Sequence, residues 1–440
     1  MRLSSIHKVA IVAMTLFIGG CGYFFSEEEA RIPGERIAVL RLERSLEPDR
    51  RVADLQVRLP RPTAKPSWPQ AGGSSAHVQH HIALPATLRE AWRTNIGEGS
   101  ESTMRLLATP VIGDGRAFVM DVESQISAIN TATGDVLWEY DPRVPDDDDE
   151  AFGGGIAYEN GVLYVSTGFA DVVSLDAETG KERWRKRMSG PMRAAPAVAD
   201  GRVFVVTIDN QLFALNGETG ERLWSHAGIS EIAGLLGGAS PAIAAGTVVV
   251  PYSSGEIFSL RVENGRPLWS DNLSSSQRLD ALSTLADIRG MPVIDRGTVY
   301  AVSHSGRMAA IDLRSGTRAW EKPIGGVEMP WVAGEFIYLL TNESQLVCLT
   351  RRGGRVRWVR DLPQFEEPDD RDDPIKWSGP ALAGDRLIIT GSHGEAWSVS
   401  PYTGKVLGRI DLSEEIFLPP VVADGTLYFL TEDGDLIAMR

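Results

Sequence analysis

One unit returns along this chain again and again, and its count leaves few folds open. Its most legible part is an Asp or Asn, then Thr/Ser-Gly, then tryptophan: LDAETGKERW at 175–184, INTATGDVLW before it, LNGETGERLW and IDLRSGTRAW after it. Trp138, Trp184, Trp224, Trp269, Trp320 and Trp358 each stand four residues after a glycine, at Gly134, Gly180, Gly220, Gly265, Gly316 and Gly354. Upstream of each lie three shorter apolar runs. The first is TPVIG, GIAYE, APAVA, SPAIA, MPVID, MPWVA, GPALA or PPVVA in turn. Pairs such as Asp114-Gly115, Asn160-Gly161, Asp200-Gly201 and Asp424-Gly425 follow most of these and supply the positive φ of two-residue hairpins. The unit therefore reads as four antiparallel strands, and a fixed period of such units marks a repeat architecture.

The bookkeeping at the two ends selects among repeat architectures. In the seventh unit Gly408 stands where the tryptophan is due, and the eighth reaches Arg440 without a fourth strand. The missing strand is in surplus at the other end, where LREAWRTNIG carries Trp92 with no three strands before it. The expected fold is all-β: an eight-bladed β-propeller of four-stranded antiparallel blades over 84–440, its last blade closed by the N-terminal strand around Trp92. Such closure leaves no exposed seam. The recurring tryptophans then explain themselves as packing between blades. Each buries on the order of 150–250 Å2, worth several kcal/mol at about 25 cal/mol per Å2.

Before the ring, 1–20 has Arg2 and Lys8 ahead of an apolar run too short to span a bilayer, and reads as a signal peptide. Ile18-Gly19-Gly20-Cys21 is similar to the bacterial lipobox, which makes Cys21 the lipidation site, and Gly22 after it favours an outer-membrane address. Residues 21–83 are charged and Pro-rich and read as a lipidated tether, with one short ordered patch at RIAVLRLE. Removal of 1–20 takes away Arg2 and Lys8 and no acid, so the net charge of −15 becomes −17. That balance argues against nucleic acid as a partner. Cys21 and Cys348 are the only cysteines, so no disulfide framework is expected.

Catalytic signatures are wanting: no Gly-x-Ser-x-Gly, zincin helix or P-loop stands in the sequence. The acid clusters PDDDDE and EEPDDRDD lack metal-loop spacing and read as solvated loops, His304 and His393 fall in non-adjacent blades, and HVQHH at 77–81 offers at most a weak metal site. No cofactor, metal or catalytic residue is assigned. The informative asymmetry lies in the loops. First and third turns of each unit are tight, whereas the long segments 141–152, 227–238, 272–290 and 361–377 all fall on the opposite face of a propeller. Function on a rigid ring is usually carried by such loops. Two of them flank one blade and are leucine-bearing: Leu235 and Leu236 in the first, Leu279, Leu282 and Leu285 beside Asp280 and Asp287 in the second.

The repeat resembles the quinoprotein-type propeller repeats shared by pyrroloquinoline quinone (PQQ) dehydrogenases and the BamB lipoproteins of outer-membrane assembly, and WPQAGGSSAH at Trp68 is similar to the start of a quinoprotein dehydrogenase domain. Lipobox, eight repeats and split closure together resemble the BamB family. That resemblance implies a non-enzymatic scaffold of the β-barrel assembly (BAM) complex on the periplasmic side of the outer membrane. Its partners would be BamA, through POTRA domains, other BAM subunits and unfolded outer-membrane proteins. It also implies that the two leucine-bearing connectors dock on BamA. By position Leu235 matches a family leucine, Leu236 stands where the family has Arg, Asp287 matches one acid of a pair and Arg289 replaces the other. The alternative is a periplasmic PQQ-dependent dehydrogenase, whose family resemblance brings Ca2+, a catalytic Asp and commonly a disulfide of adjacent cysteines that this sequence lacks. A third reading, a polysaccharide-binding propeller, predicts an aromatic-lined central cleft.

Overall fold

The computed structural model describes residues 46–440 apart from 144–150, 152, 232–233 and 275–285. The signal segment, Cys21, the patch at 36–43, and Leu279, Asp280, Leu282 and Leu285 lie outside the described residues.

Eight four-stranded antiparallel sheets follow one another around the ring. Blades 1 to 7 run over 111–140, 154–187, 197–227, 242–272, 293–322, 331–361 and 377–411. Blade 8 joins Val421–Ala423, Thr426–Leu430 and Asp435–Met439 to Glu90–Asn95 from the N-terminal side, with Trp92 opposite Ala438 and Thr94 opposite Leu436. The joint continues in the Arg89 and Arg440 amides, each donating to the other residue's carbonyl at 2.7 and 2.9 Å. The eight-bladed propeller expected from the sequence is therefore the fold.

Burial explains the unequal strands. The inner three of a blade are covered on both faces by neighbouring blades, so Arg116–Met120 and Ile126–Asn130 are almost wholly buried. The outer strand Val136–Tyr140 alternates exposed and half-buried positions. Trp138 lies on Gly180 of the next blade: a Cβ there, at φ +69°, would stand 2.7 Å from the indole. Only glycine meets both demands. The same contact recurs at seven joints, from Trp92 on Gly134 to Trp358 on Gly404. In each the indole N–H donates to a carbonyl of the next blade, as Trp269 does to Leu313 O at 2.8 Å. Asp176 accepts from the Thr179 amide and hydroxyl at 2.9 and 2.7 Å, which ties the turn and holds its carboxyl below the usual range.

Gly408 occupies the tryptophan's register, opposite Ser398. Its neighbour is the closing blade, whose outer strand arrives from the other side of the chain. No Thr-Gly turn precedes that strand, so no left-handed glycine awaits an indole. Arg386 bridges this joint instead, donating to Pro85 O and Ala86 O at 2.6 and 2.8 Å.

Residues 46–83 depart from the tether that their composition suggests. Residues 49–55 pack along the outer strand of blade 6, where the Asp49 amide donates to Val356 O and Arg357 to Leu55 O. The chain then crosses the face of the tight hairpin turns and bonds to every blade. Trp68 exchanges two backbone bonds with Ile112, Pro69 O accepts from Tyr158, and the Gln70 side chain pairs with both backbone groups of Val198. Ser75 O and Ala76 O accept from Ile243 and Ile294, His80 O from the Trp331 indole, and Lys65 O from Asp424, while Ile82 donates to Leu382 O. This clasp is irregular chain, and its backbone groups are satisfied by the innermost strands of the ring. Trp68 is 4% exposed and stacks on Trp331 at 6.4 Å.

The three histidines of HVQHH are spent on the same clasp. His77 meets Pro292 O at 2.8 Å, His80 lies 3.6 Å from Asp295, and His81 meets Pro60 O at 2.9 Å while accepting from the Asp385 amide. They face blades 5 and 7 separately, and no group of metal-ligating side chains occurs among the described residues.

Candidate functional site

Inter-blade connectors and second hairpin turns gather on one face around a basin of about 470 Å3 on the ring axis. Its wall draws on the connectors 96–110, 228–241, 273–292, 323–330, 362–376 and 412–420. The first of these follows the split blade and so lies outside the register of complete units from which the other long connectors are read. The leucine pair at 106–107 was the signal that would have found it. Within 362–376 the acid cluster forms an exposed hairpin, Phe365–Glu367 with Asp372–Pro374.

The four residues singled out from the sequence come together at this basin. Leu235, Leu236 and Arg289 line it. Asp287 lies beneath, 8% exposed, its Oδ2 accepting from the Leu235 amide at 2.8 Å. Burial pushes its carboxyl above the usual range, opposed by that amide and by the Arg289 charge. Gly237, at φ +91°, presses on Arg289, since a Cβ there would be 3.0 Å from Nε. Asp287 is thus a positioning residue: it fixes the turn that presents Leu236, itself 40% exposed. Ile208, 45% exposed, shares a cleft of about 190 Å3 with Leu235 and Asp287, and Ile229, 60% exposed, stands on the same connector as Leu236. Asp287→Ala should remove the acceptor of the half-buried Leu235 amide and cost about 1 kcal/mol. Thermal unfolding checks the cost, and faster amide exchange at Leu235 is the local sign.

Deeper in, Trp68, Ala71 and Gly72 of the clasp line the inner end of a smaller axial cavity that also meets Arg289, Glu328 and Phe417. Glu328 accepts from the Gly379 amide at 3.3 Å, and burial raises its carboxyl despite Arg289. The disulfide of adjacent cysteines that the resemblance to the quinone enzymes brings has no counterpart here. Cys348, the cysteine among the described residues, is buried in blade 6, and burial pushes its thiol up. No adjacent cysteine stands in the sequence to pair with it.

Fold and site together define a PQQ-like β-propeller with its insertions collected on one face. The family model described as "Outer membrane protein assembly factor BamB" matches residues 79–148, 142–360 and 369–440, and the chain belongs to that family. The outer membrane protein assembly factor BamB of Xanthomonas campestris pv. campestris is 27% identical over 354 residues, which cover 79% of this chain and 85% of that protein. Among solved structures, BamB from Moraxella catarrhalis aligns with a TM-score of 0.69 at 19% identity, over 80% of this chain and 100% of the other. Quinohemoprotein alcohol dehydrogenase from Comamonas testosteroni aligns with a TM-score of 0.64 at 16% identity, over 85% and 80%. At such identities the two structures share the fold with this chain, and fold alone does not carry function.

Proposed function

We propose that this chain is a non-enzymatic scaffold lipoprotein of the outer-membrane β-barrel assembly complex. It is anchored in the outer membrane through acylated Cys21, faces the periplasm, and docks on a POTRA domain of BamA with the connectors 228–241 and 273–292. Membership of the BamB family carries the reading. Exposed Ile229 and Leu236 on the connector 228–241, with Ile208 in a cleft beside Leu235, support the placement of the interface. The family charge pattern is altered here: Leu236 replaces an Arg, Arg289 replaces an acid, and Asp287 is turned inward. The partner surface is therefore matched chiefly by apolar contact. The division into a signal peptide 1–20, a lipidated segment from Cys21 and a propeller belongs to the same proposal, with 46–83 counted with the ring.

A photo-crosslinking residue at 236 or 229 in cells tests the interface; the buried position 287 is unsuited. BamA is the expected adduct from both, and recovery of a different protein from both would overturn the docking. Cys21→Ser should move the protein from the membrane to the soluble periplasmic fraction. Addition of PQQ and Ca2+ to the purified chain is expected to give no dye reduction with alcohols, and turnover would restore the dehydrogenase reading.

A further inference from the structure

The docking connectors occupy one side of the basin, and the opposite side carries chemistry that docking leaves unused. There Arg105 and Lys376, from two different connectors, both lie over the ring of Phe417, at 5.2 and 5.4 Å. Arg105 pairs with Glu432 at 3.3 Å, and Glu432 is buried, which raises its carboxyl. Lys376 is exposed and has no carboxylate within ion-pair distance among the described residues. Leu106, Leu107, Val327 and Leu418 supply an apolar lining. The two carboxylates of the basin, Glu328 and Glu432, have partners of their own in the Gly379 amide and Arg105, whereas Lys376 and Arg105 reach solvent. The lining sets Arg105, Arg289 and Lys376 against Glu328 and Glu432, an excess of one positive charge on a chain of net charge −15.

We infer that this basin binds a short peptide segment that places carboxylates beside apolar side chains. Its size, about 470 Å3, lies within the range of ligand pockets. An exposed ion pair alone contributes about 0–1 kcal/mol, so a lone carboxylate gains little from Lys376. The leucine lining must supply most of the affinity, and the cations stacked on Phe417 the selectivity for acidic sequences. A polyanion such as nucleic acid is repelled by the rest of the surface. The basin is shared with the docking connectors through Leu235, Leu236 and Arg289, whereas the selectivity rests on Lys376, Arg105 and Phe417, which lie outside both of them.

The test uses the full-length mature chain and a fluorescent, end-blocked peptide, Gly-Leu-Glu-Leu-Glu-Leu-Gly, against its counterpart with lysine for glutamate. The glutamate peptide should bind at least tenfold more tightly, and weaken several-fold on raising salt from 50 mM to 500 mM. Lys376→Glu should cost roughly tenfold in affinity for it and leave the unfolding midpoint unchanged, since the side chain is exposed. Arg105→Gln provides a second variant should the first misfold, with a several-fold loss expected. Crosslinking of BamA from position 236 should survive Lys376→Glu, which separates this site from the docking surface. Equal binding of the two peptides, or unchanged affinity in both variants, would overturn the inference, as would capture of laurate with no binding of either peptide.

Discussion

Trp269→Ala is expected to destabilise the ring by about 3–5 kcal/mol, the usual range for removal of a buried tryptophan. Trp269 is 8% exposed, donates to Leu313 O at 2.8 Å and covers Gly316, whose φ is +73°. Removing the indole empties the joint between blades 4 and 5 and strips one carbonyl of its donor. The two losses differ in kind. A lost hydrogen bond contributes about 1 kcal/mol, so its share is smaller; the packing share is not recoverable without moving a blade. Trp184, only half-buried at the equivalent joint, should cost less on the same substitution. Gly316→Ala is a complementary lesion, because its Cβ would stand 2.6 Å from the Trp269 ring in a backbone conformation that alanine resists. Denaturant unfolding of the three variants checks the order. A loss under about 1 kcal/mol for Trp269→Ala would mean that the tryptophans do not lock the ring.

The ring was legible because its determinants are local and repeated. Asp176, Gly180 and Trp184 sit within nine positions, and the same geometry recurs wherever that spacing recurs. Even the break at Gly408 follows from counting, once the neighbouring blade is seen to take its outer strand from Glu90–Asn95. The clasp was not legible. Residues 63–83 have no period of two, and their polar and proline content reads as solvated chain. Their partners are inner strands as distant as Ile294 and Leu382, which no local pattern announces. Trp68 and Ile82, large apolar residues in a polar stretch, were the available signal.

The site divides the same way. The positions of Leu235, Leu236, Asp287 and Arg289 on one face followed from blade counting. The inward turn of Asp287 did not, because its partner is a backbone amide 52 residues earlier. Sequence position says where a carboxylate can be; which way it faces depends on what needs a hydrogen bond nearby. The opposite wall of the basin escaped because Arg105, Lys376 and Phe417 belong to three connectors, two of them unremarked in the sequence, and converge only when the ring closes.

Acid should weaken the clasp through His77, and the sign follows from its burial. The ring is 2% exposed, its Nδ1–H donates to Pro292 O at 2.8 Å, and Nε2 is buried with no partner. Protonation would place a second N–H in the interior with nothing to accept it, and burial lowers the pKa from 6.5 to about 4 against the carbonyl's opposing pull. Between these values the unfolded chain binds the proton and the folded chain does not. Stability is therefore lost as pH falls from about 6.5 to about 4 and levels off below, by about 3 kcal/mol in all at roughly 1.4 kcal/mol per unit. His80 adds to the slope, since burial lowers its pKa too, although Asp295 opposes the shift. Asp287, Glu328 and Glu432 act oppositely, because burial raises their carboxyls and acid then favours the folded state. Total stability is thus a poor readout, and the difference between wild type and His77→Gln isolates the imidazole. Glutamine keeps a donor for Pro292 O and cannot titrate, so the variant should lose about 3 kcal/mol less than wild type between pH 6.5 and 4. Parallel pH profiles for the two proteins would show that His77 is not held neutral inside the clasp.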